Sequence, residues 1–189
     1  MKLYVLSTGS SGNASIVQGK HENIALDFGL SYSKWHNLLE KNNLELPHEY
    51  FITHEHGDHL NQSCINRLCG KYNGLYFHTN RGIFETEDFT IQAFLVPHDI
   101  ENHGFVIVEK DTNEKLVYIT DCSSMYQTVK HYQDLLSNAD IYALEANYDE
   151  QYIENPDILD QMNYKYNVFR GMMRHTSKQE SLKTFAMLK

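Results

Sequence analysis

The stretch ITHEHGDHL, residues 52–60, holds three histidines and an aspartate within six positions, directly after the apolar run EYFIT (49–53). EYFIT reads as a β-strand. His54 and His56 are two residues apart, so in an extended segment they project to the same side. Gly57 is read as the turn position, because it carries no Cβ. Asp58 and His59 are then expected in the first turn of a following helix. Four ligand-type side chains would converge where a strand ends and a helix begins. Crowded imidazoles repel one another when protonated, whereas neutral imidazoles around a divalent cation do not. A helix-capping Asp58 beside solvated loop histidines is the plainer reading of each residue alone. The combined spacing favours a metal site.

The rest of the chain bounds that reading. Its 189 residues suit one domain, 1–189, and 41% apolar with 22% charged residues is ordinary for a globular protein. With 25 acidic against 16 basic residues the formal charge is −9, which argues against a broad electrostatic grip on long nucleic acid. No stretch nears the roughly 20 apolar residues of a membrane span. MKLYVLSTGSSGN does not read as a signal peptide, so a cytoplasmic protein is expected. Cys64, Cys69 and Cys122 make an odd set without zinc-ribbon spacing. Cys64 and Cys69 are expected on the buried side of a helix as free thiols, which suits a reducing compartment.

Outward from the histidines, KLYVLS (2–7) reads as a short buried strand entering the loop TGSSGN (8–13). ASIVQG and NIALDFG are strands, and SYSKWHNLLEKNN a helix capped by Ser31 or Ser33. DHLNQSCINRLCG (58–70) is a helix closed by Gly70. LYFHT, FTIQAFLVPH, HGFVIVEK, EKLVYITD and DIYALEAN are further strands, and SMYQTVKHYQDLLSNA (124–139) is one amphipathic helix. Residues 148–173 give no firm element. TSKQESLKTFAML (176–188) closes as a helix with Thr176 as N-cap. Two sheets face to face with helices outside use every apolar face, an α/β class with four αββα layers.

More ligand-type residues follow apolar runs: His98 after FLVP, Asp121 after VYIT, and His175 just before the last helix. Each alone reads equally as a turn or capping residue. Together with the histidine stretch they provide enough ligands for two cations.

The ordered set THEHGDH (53–59), VPHD (96–99), ITD (119–121) and RHTS (174–177) resembles the metallo-β-lactamase-fold hydrolases. STGSSGNASIV (7–17), LDFGLS (26–31) and LEANYDE (144–150) are similar to their WalJ-type branch, and the likeness runs from about residue 3 to residue 185. The resemblance implies two divalent ions. His54, His56 and His98 would hold one, Asp58, His59 and His175 the other, and Asp121 would bridge them. Asp27 would support the histidine loop without binding metal. Zn²⁺ is favoured, with Mn²⁺ or Fe as alternatives. Asp58, Asp121 and His175 would serve catalysis, with attack by a metal-bridging hydroxide and Asp58 orienting it.

The reaction so implied is phosphodiester hydrolysis on DNA or RNA, in the manner of an exonuclease. Cyclic nucleotides or other small phosphodiesters are the alternative substrates. Ester or lactone hydrolysis, and a non-enzymatic metal-binding role, are further alternatives. Ser10, Ser11, Asn13, Asn147, Arg174 and Lys178 are candidate substrate contacts, and Arg170, Arg174 and Lys178 form a local basic run with His175. No membrane partner is expected. The chain departs from the branch in a short stretch between His59 and His98, in Tyr148 where relatives often carry histidine, and in Arg174–Lys178 where they carry GHLSN.

Overall fold

The computed structural model describes residues 1–155, 157, 171 and 173–189. The chain forms two compact units, one of residues 1–90 with 109–113 and the other of 91–108 with 114–189.

In the first unit, β1 (Lys2–Ser7), β2 (Ala14–Gln18), β3 (Asn23–Leu26), β4 (Glu49–Phe51) and β5 (Tyr76–His78) form a sheet in sequence order. β1, β2 and β3 pair antiparallel, whereas β3, β4 and β5 pair parallel. Parallel neighbours need crossovers. Helices α1 (Tyr32–Lys41) and α2 (Gln62–Cys69) supply them. β2 is buried almost throughout, but β1 alternates exposed and half-buried residues. The expected buried strand is therefore an edge strand, with one flank unpaired and Val5 more than half exposed. The core gathers Ile16, Ala25, Phe28, Trp35, Tyr50 and Leu68, with Phe28 packed edge-on against Trp35.

This topology decides what meets at one sheet edge. The ends of β3 and β4 lie side by side because those strands are parallel. The start of β2 lies there too, because β2 runs opposite to β3. Asn13, Asp27 and Thr53 to His59 thus share an edge, although the sequence spreads them over some forty positions.

A second five-stranded sheet has the order β10-β9-β8-β7-β6: β6 (Ile83–Glu85), β7 (Phe89–Val96), β8 (Asn102–Glu109), β9 (Lys115–Ile119) and β10 (Ile141–Leu144). The three-residue β6 was not legible in the sequence. Within the second unit β8 and β9 are antiparallel and β9 and β10 parallel. The ends of β9 and β10 and the start of β8 therefore coincide, bringing Asp121, Glu145 and Asn102 together. Its core holds Phe94, Val106, Val117, Ile119, Met125, Val129 and Leu136.

The single helix expected over 124–139 is two, α3 (Met125–His131) and α4 (Gln133–Leu136). Tyr132 leaves helical geometry at φ −112°, ψ 24°, and its ring packs on Phe94. A short helix α5 (Gln151–Glu154) follows β10, and α6 (Lys178–Leu188) ends the chain. The expected α/β class holds: both sheets are mixed and accompanied by helices.

Candidate metal centre

The first-unit cluster is built on Asp27, fully buried and at φ 61°. An L-residue tolerates that region only when its surroundings hold it there, and aspartate does so better than most. Asp27 Oδ1 accepts from the backbone N–H and the hydroxyl of Thr53, both at 2.8 Å, and Oδ2 accepts from His59 Nδ1 at 2.8 Å. Because a carboxylate only accepts, the His59 proton sits on Nδ1 and the lone pair on Nε2. Thr53 has spent its one proton on Asp27, so its oxygen accepts from His54 Nδ1 at 3.0 Å. His54 therefore also presents a lone pair at Nε2. One buried aspartate fixes both tautomers, the arrangement by which carboxylates orient metal-ligating histidines.

His54 Nε2 lies 3.0 Å from His56 Nδ1. Two nitrogens on one ion at ~2.1 Å are separated by about 3.0–3.4 Å, depending on coordination geometry. The donor pair thus fits a shared cation. His59 Nε2 is 2.8 Å from Asn13 Nδ2, while Asn13 Oδ1 accepts from Gly9 N–H at 2.8 Å, which fixes the amide orientation. Asn13 is buried against the histidine loop, also donating to the Asp58 carbonyl at 3.3 Å. Asp58 keeps its carboxylate partly in solvent, with Oδ2 3.9 Å from His59 Nε2.

Three local expectations are corrected. Asp58 and His59 do not lie in a helix. α2 starts at Gln62, capped by Asn61, whose side chain accepts from Cys64 N–H at 3.1 Å. Gly57 is not the glycine that the loop requires, since a Cβ there would touch nothing within 4 Å. Gly29 is. A Cβ on Gly29 would overlap the backbone carbonyl of Asp58, against which its bare Cα packs. In the same helix Cys64 is buried but Cys69 is exposed, not on the buried side as expected. Five residues turn a helix by about 140° beyond a full circle, off the core face.

In the second unit, Asp121 adopts φ 50° just after β9. Its backbone carbonyl accepts from Asn102 Nδ2 at 2.8 Å. Ligand atoms of Asp121, Glu145 and His175 lie within 4.8 Å of one another. Sequence reading missed Glu145, although it follows the apolar run IYAL just as Asp121 follows VYI. Glu145 Oε1 accepts from His175 Nδ1 at 2.6 Å, while Oε2 accepts from the N–H groups of Cys122 (2.6 Å) and Thr176 (3.1 Å). Burial pushes the Glu145 carboxyl up, against the opposing pull of His175. Burial lowers His175 in turn, but the hydrogen bond and charge of Glu145 outweigh it, and the imidazole ends raised. His98 donates from Nδ1 to the Arg174 carbonyl at 3.1 Å, and burial holds its pKa below the usual value. Its neutral form again carries the lone pair on Nε2.

The candidate substrate contacts divide. Ser10 and Ser11 are exposed on the turn closed by Gly12 N–H to Gly9 O. Asn147 is exposed, and its backbone N–H donates to the Thr176 carbonyl. Arg174 is held by Asp99 at 2.7 Å, and Lys178 lies 3.7 Å from Asp149, so neighbouring carboxylates neutralise part of the basic run. Arg170 lies outside the described residues.

No family profile matches the chain. It is 28% identical to the exodeoxyribonuclease WalJ of Streptococcus pneumoniae serotype 2, over an alignment covering 82% of this chain and 65% of WalJ. The chain thus spans just under two thirds of the curated relatives that it matches. Human tRNase Z, short form, superposes with a TM-score of 0.67 at 19% identity, over all of this chain and 88% of the other. A diphosphatase of the PhnP family gives 0.65 at 14% identity, over 98% and 81%. The chain has the metallo-β-lactamase fold. The histidine stretch lies in the connection from β4 to α2, the aspartate just after β9 and the late histidine shortly before α6. Among the described residues no helix is long and apolar enough to cross a membrane.

Proposed function

We propose that the chain is a metal-dependent phosphodiesterase acting on nucleic acid. The reading is carried by the buried Asp27–Thr53–His59 network, which sets the tautomers of His54 and His59 and commits an otherwise costly buried carboxylate to orienting imidazoles. In the second unit Glu145 does the same for His175. Similarity to an exodeoxyribonuclease supports the substrate class.

His54, His56 and His98 would hold one divalent ion, and Asp58, His59 and His175 a second, with Asp121 shared. A nitrogen-rich set without thiolate suits zinc, with manganese or iron as alternatives. Such ions, when bound, polarise a phosphoryl oxygen and bring the pKa of water near neutrality. The chain's own residues position the substrate. Asp58, part-exposed at the loop tip, orients the incoming water and can take its proton at Oδ2. Asn13 steadies the Asp58 carbonyl from behind. Asp121 and His175, fixed by Asn102 and Glu145, complete the catalytic set. The compartment that fits three free thiols is the cytoplasm.

Short phosphodiesters such as cyclic nucleotides are the second reading, favoured by the −9 charge and by the pairing of Arg174 and Lys178 with acids. Metal analysis of the purified protein should find close to two transition ions per chain. His56→Ala and Asp121→Ala should each abolish hydrolysis of bis(p-nitrophenyl)phosphate while circular dichroism stays unchanged. Full activity in either variant would remove the proposal. Single-stranded DNA or RNA should be cut in preference to cyclic mononucleotides; the reverse preference selects the second reading.

A further inference from the structure

Lys20, Lys110, Arg174 and Lys178 each lie beside an acid: Asp111, Glu85, Asp99 and Asp149 in turn. Two cations on α2 and its C-terminal extension differ. Arg67 and Lys71, one helical turn apart and both exposed, are each held 4.6 Å from the centroid of the Tyr32 ring. Among the described residues neither makes an ion pair with a carboxylate. The electron-rich face of one aromatic ring holds two like charges together. Tyr32 is half-buried against the core and so is a fixed platform. The Tyr32 phenol is pulled below its usual pKa by hydrogen bonding with Tyr72 and Lys71. Tyr72 leaves part of its ring exposed.

The group is tied to the histidine loop within the same unit. α2 begins directly after that loop, and the Asn61 that caps it is bonded through its backbone N–H to the Phe28 carbonyl. Tyr32 stands three residues beyond Gly29, which packs on Asp58. From Asn61 to Arg67 the helix rises about 9 Å, and Lys71 is farther still. A mononucleotide held at the loop does not span that distance; a strand of several nucleotides does. Uncompensated cations with an adjacent exposed aromatic ring are the means by which proteins track a single strand, charge for phosphates and ring faces for bases.

We infer that Arg67, Lys71 and Tyr72 form an outlying subsite for single-stranded nucleic acid, receiving the strand where it runs away from the histidine loop. The inference rests on the phosphodiesterase reading and gives it a preference for oligonucleotides over mononucleotides. Binding by the full chain is measured by fluorescence anisotropy, using a fluorescein-labelled, phosphorothioate single-stranded DNA of about twelve nucleotides across a salt series. Arg67→Ala with Lys71→Ala should weaken binding at least ~fivefold and flatten the slope of log K against log salt by about 1.4, at roughly 0.7 for each phosphate no longer neutralised. Tyr72→Ala should weaken binding about tenfold with the slope unchanged. Lys20→Ala, at a paired cation elsewhere on the unit, should change neither. A wild-type affinity and slope in the double variant overturns the subsite, and an equal loss on duplex DNA overturns its single-strand character. Hydrolysis of bis(p-nitrophenyl)phosphate by the wild-type chain tests the phosphodiesterase reading separately.

Discussion

Asp27 shows how much one side chain can organise. It satisfies three buried donors, and no neutral residue of its size can accept all three. Asp27→Asn keeps the shape but replaces one acceptor oxygen by a donor, which must oppose either Thr53 or the His59 Nδ1–H. The expected result is a 10- to 100-fold loss of Zn²⁺ affinity, read by chelator competition, with the far-ultraviolet spectrum unchanged. Wild-type affinity would show that this carboxylate does not set the histidine tautomers. Gly29 and Gly57 make a second test. Gly29→Ala forces a methyl group into the Asp58 carbonyl and should cost at least ~3 kcal/mol in urea unfolding. Gly57→Ala, in open space, should stay within ~0.5 kcal/mol. Sequence alone favoured Gly57 because it sits inside the motif. The residue that clears the way lies 28 positions earlier, just after β3, in a segment that meets the loop only in the fold.

Elements were legible where an apolar run stops abruptly, but the starts of α2 and α6 were not, for a reason common to both. Asp58, Asn61 and Thr176, Ser177 are pairs of good capping types a few residues apart, and local sequence does not choose within a pair. Packing chooses. Ser177 caps α6, accepting from Glu180 N–H at 2.9 Å. Thr176 is instead pulled inward, where its hydroxyl donates to the Cys122 carbonyl at 2.6 Å. Ser177→Ala should therefore cost about 1 kcal/mol, the usual worth of a cap. Thr176→Val should cost more, about 2 kcal/mol, because it strands a buried acceptor. Equal costs by urea titration would mean that the two hydroxyls are interchangeable. Glu145 escaped notice for a related reason. Its partner His175 lies 30 residues away, and nothing in LEAN distinguishes a metal-site carboxylate from one facing water.

Each unit uses the same device: parallel neighbours, β3 with β4 and β9 with β10, end together and release their next polar residues at one edge. Strand order was not legible from periodicity, so the apolar runs marked His98 and Asp121 as candidates, but the division of the ligands between two ions rested on the resemblance. The proposed ligand set makes a thermodynamic demand, because metal bound only by the folded chain must stabilise it. Trp35, the chain's single tryptophan, is buried in the first unit, so its fluorescence reports unfolding there. Zn²⁺ at about 100 times its Kd should stabilise that signal by about 2.7 kcal/mol for each site bound only in the folded state. His98→Ala combined with His175→Ala removes ligands carried by the second unit alone. Under the proposed ligand set it should abolish most of the stabilisation seen at Trp35. If instead the gain at Trp35 persists undiminished in that variant, His54, His56, Asp58 and His59 bind metal without help, and the proposed ligand set is wrong.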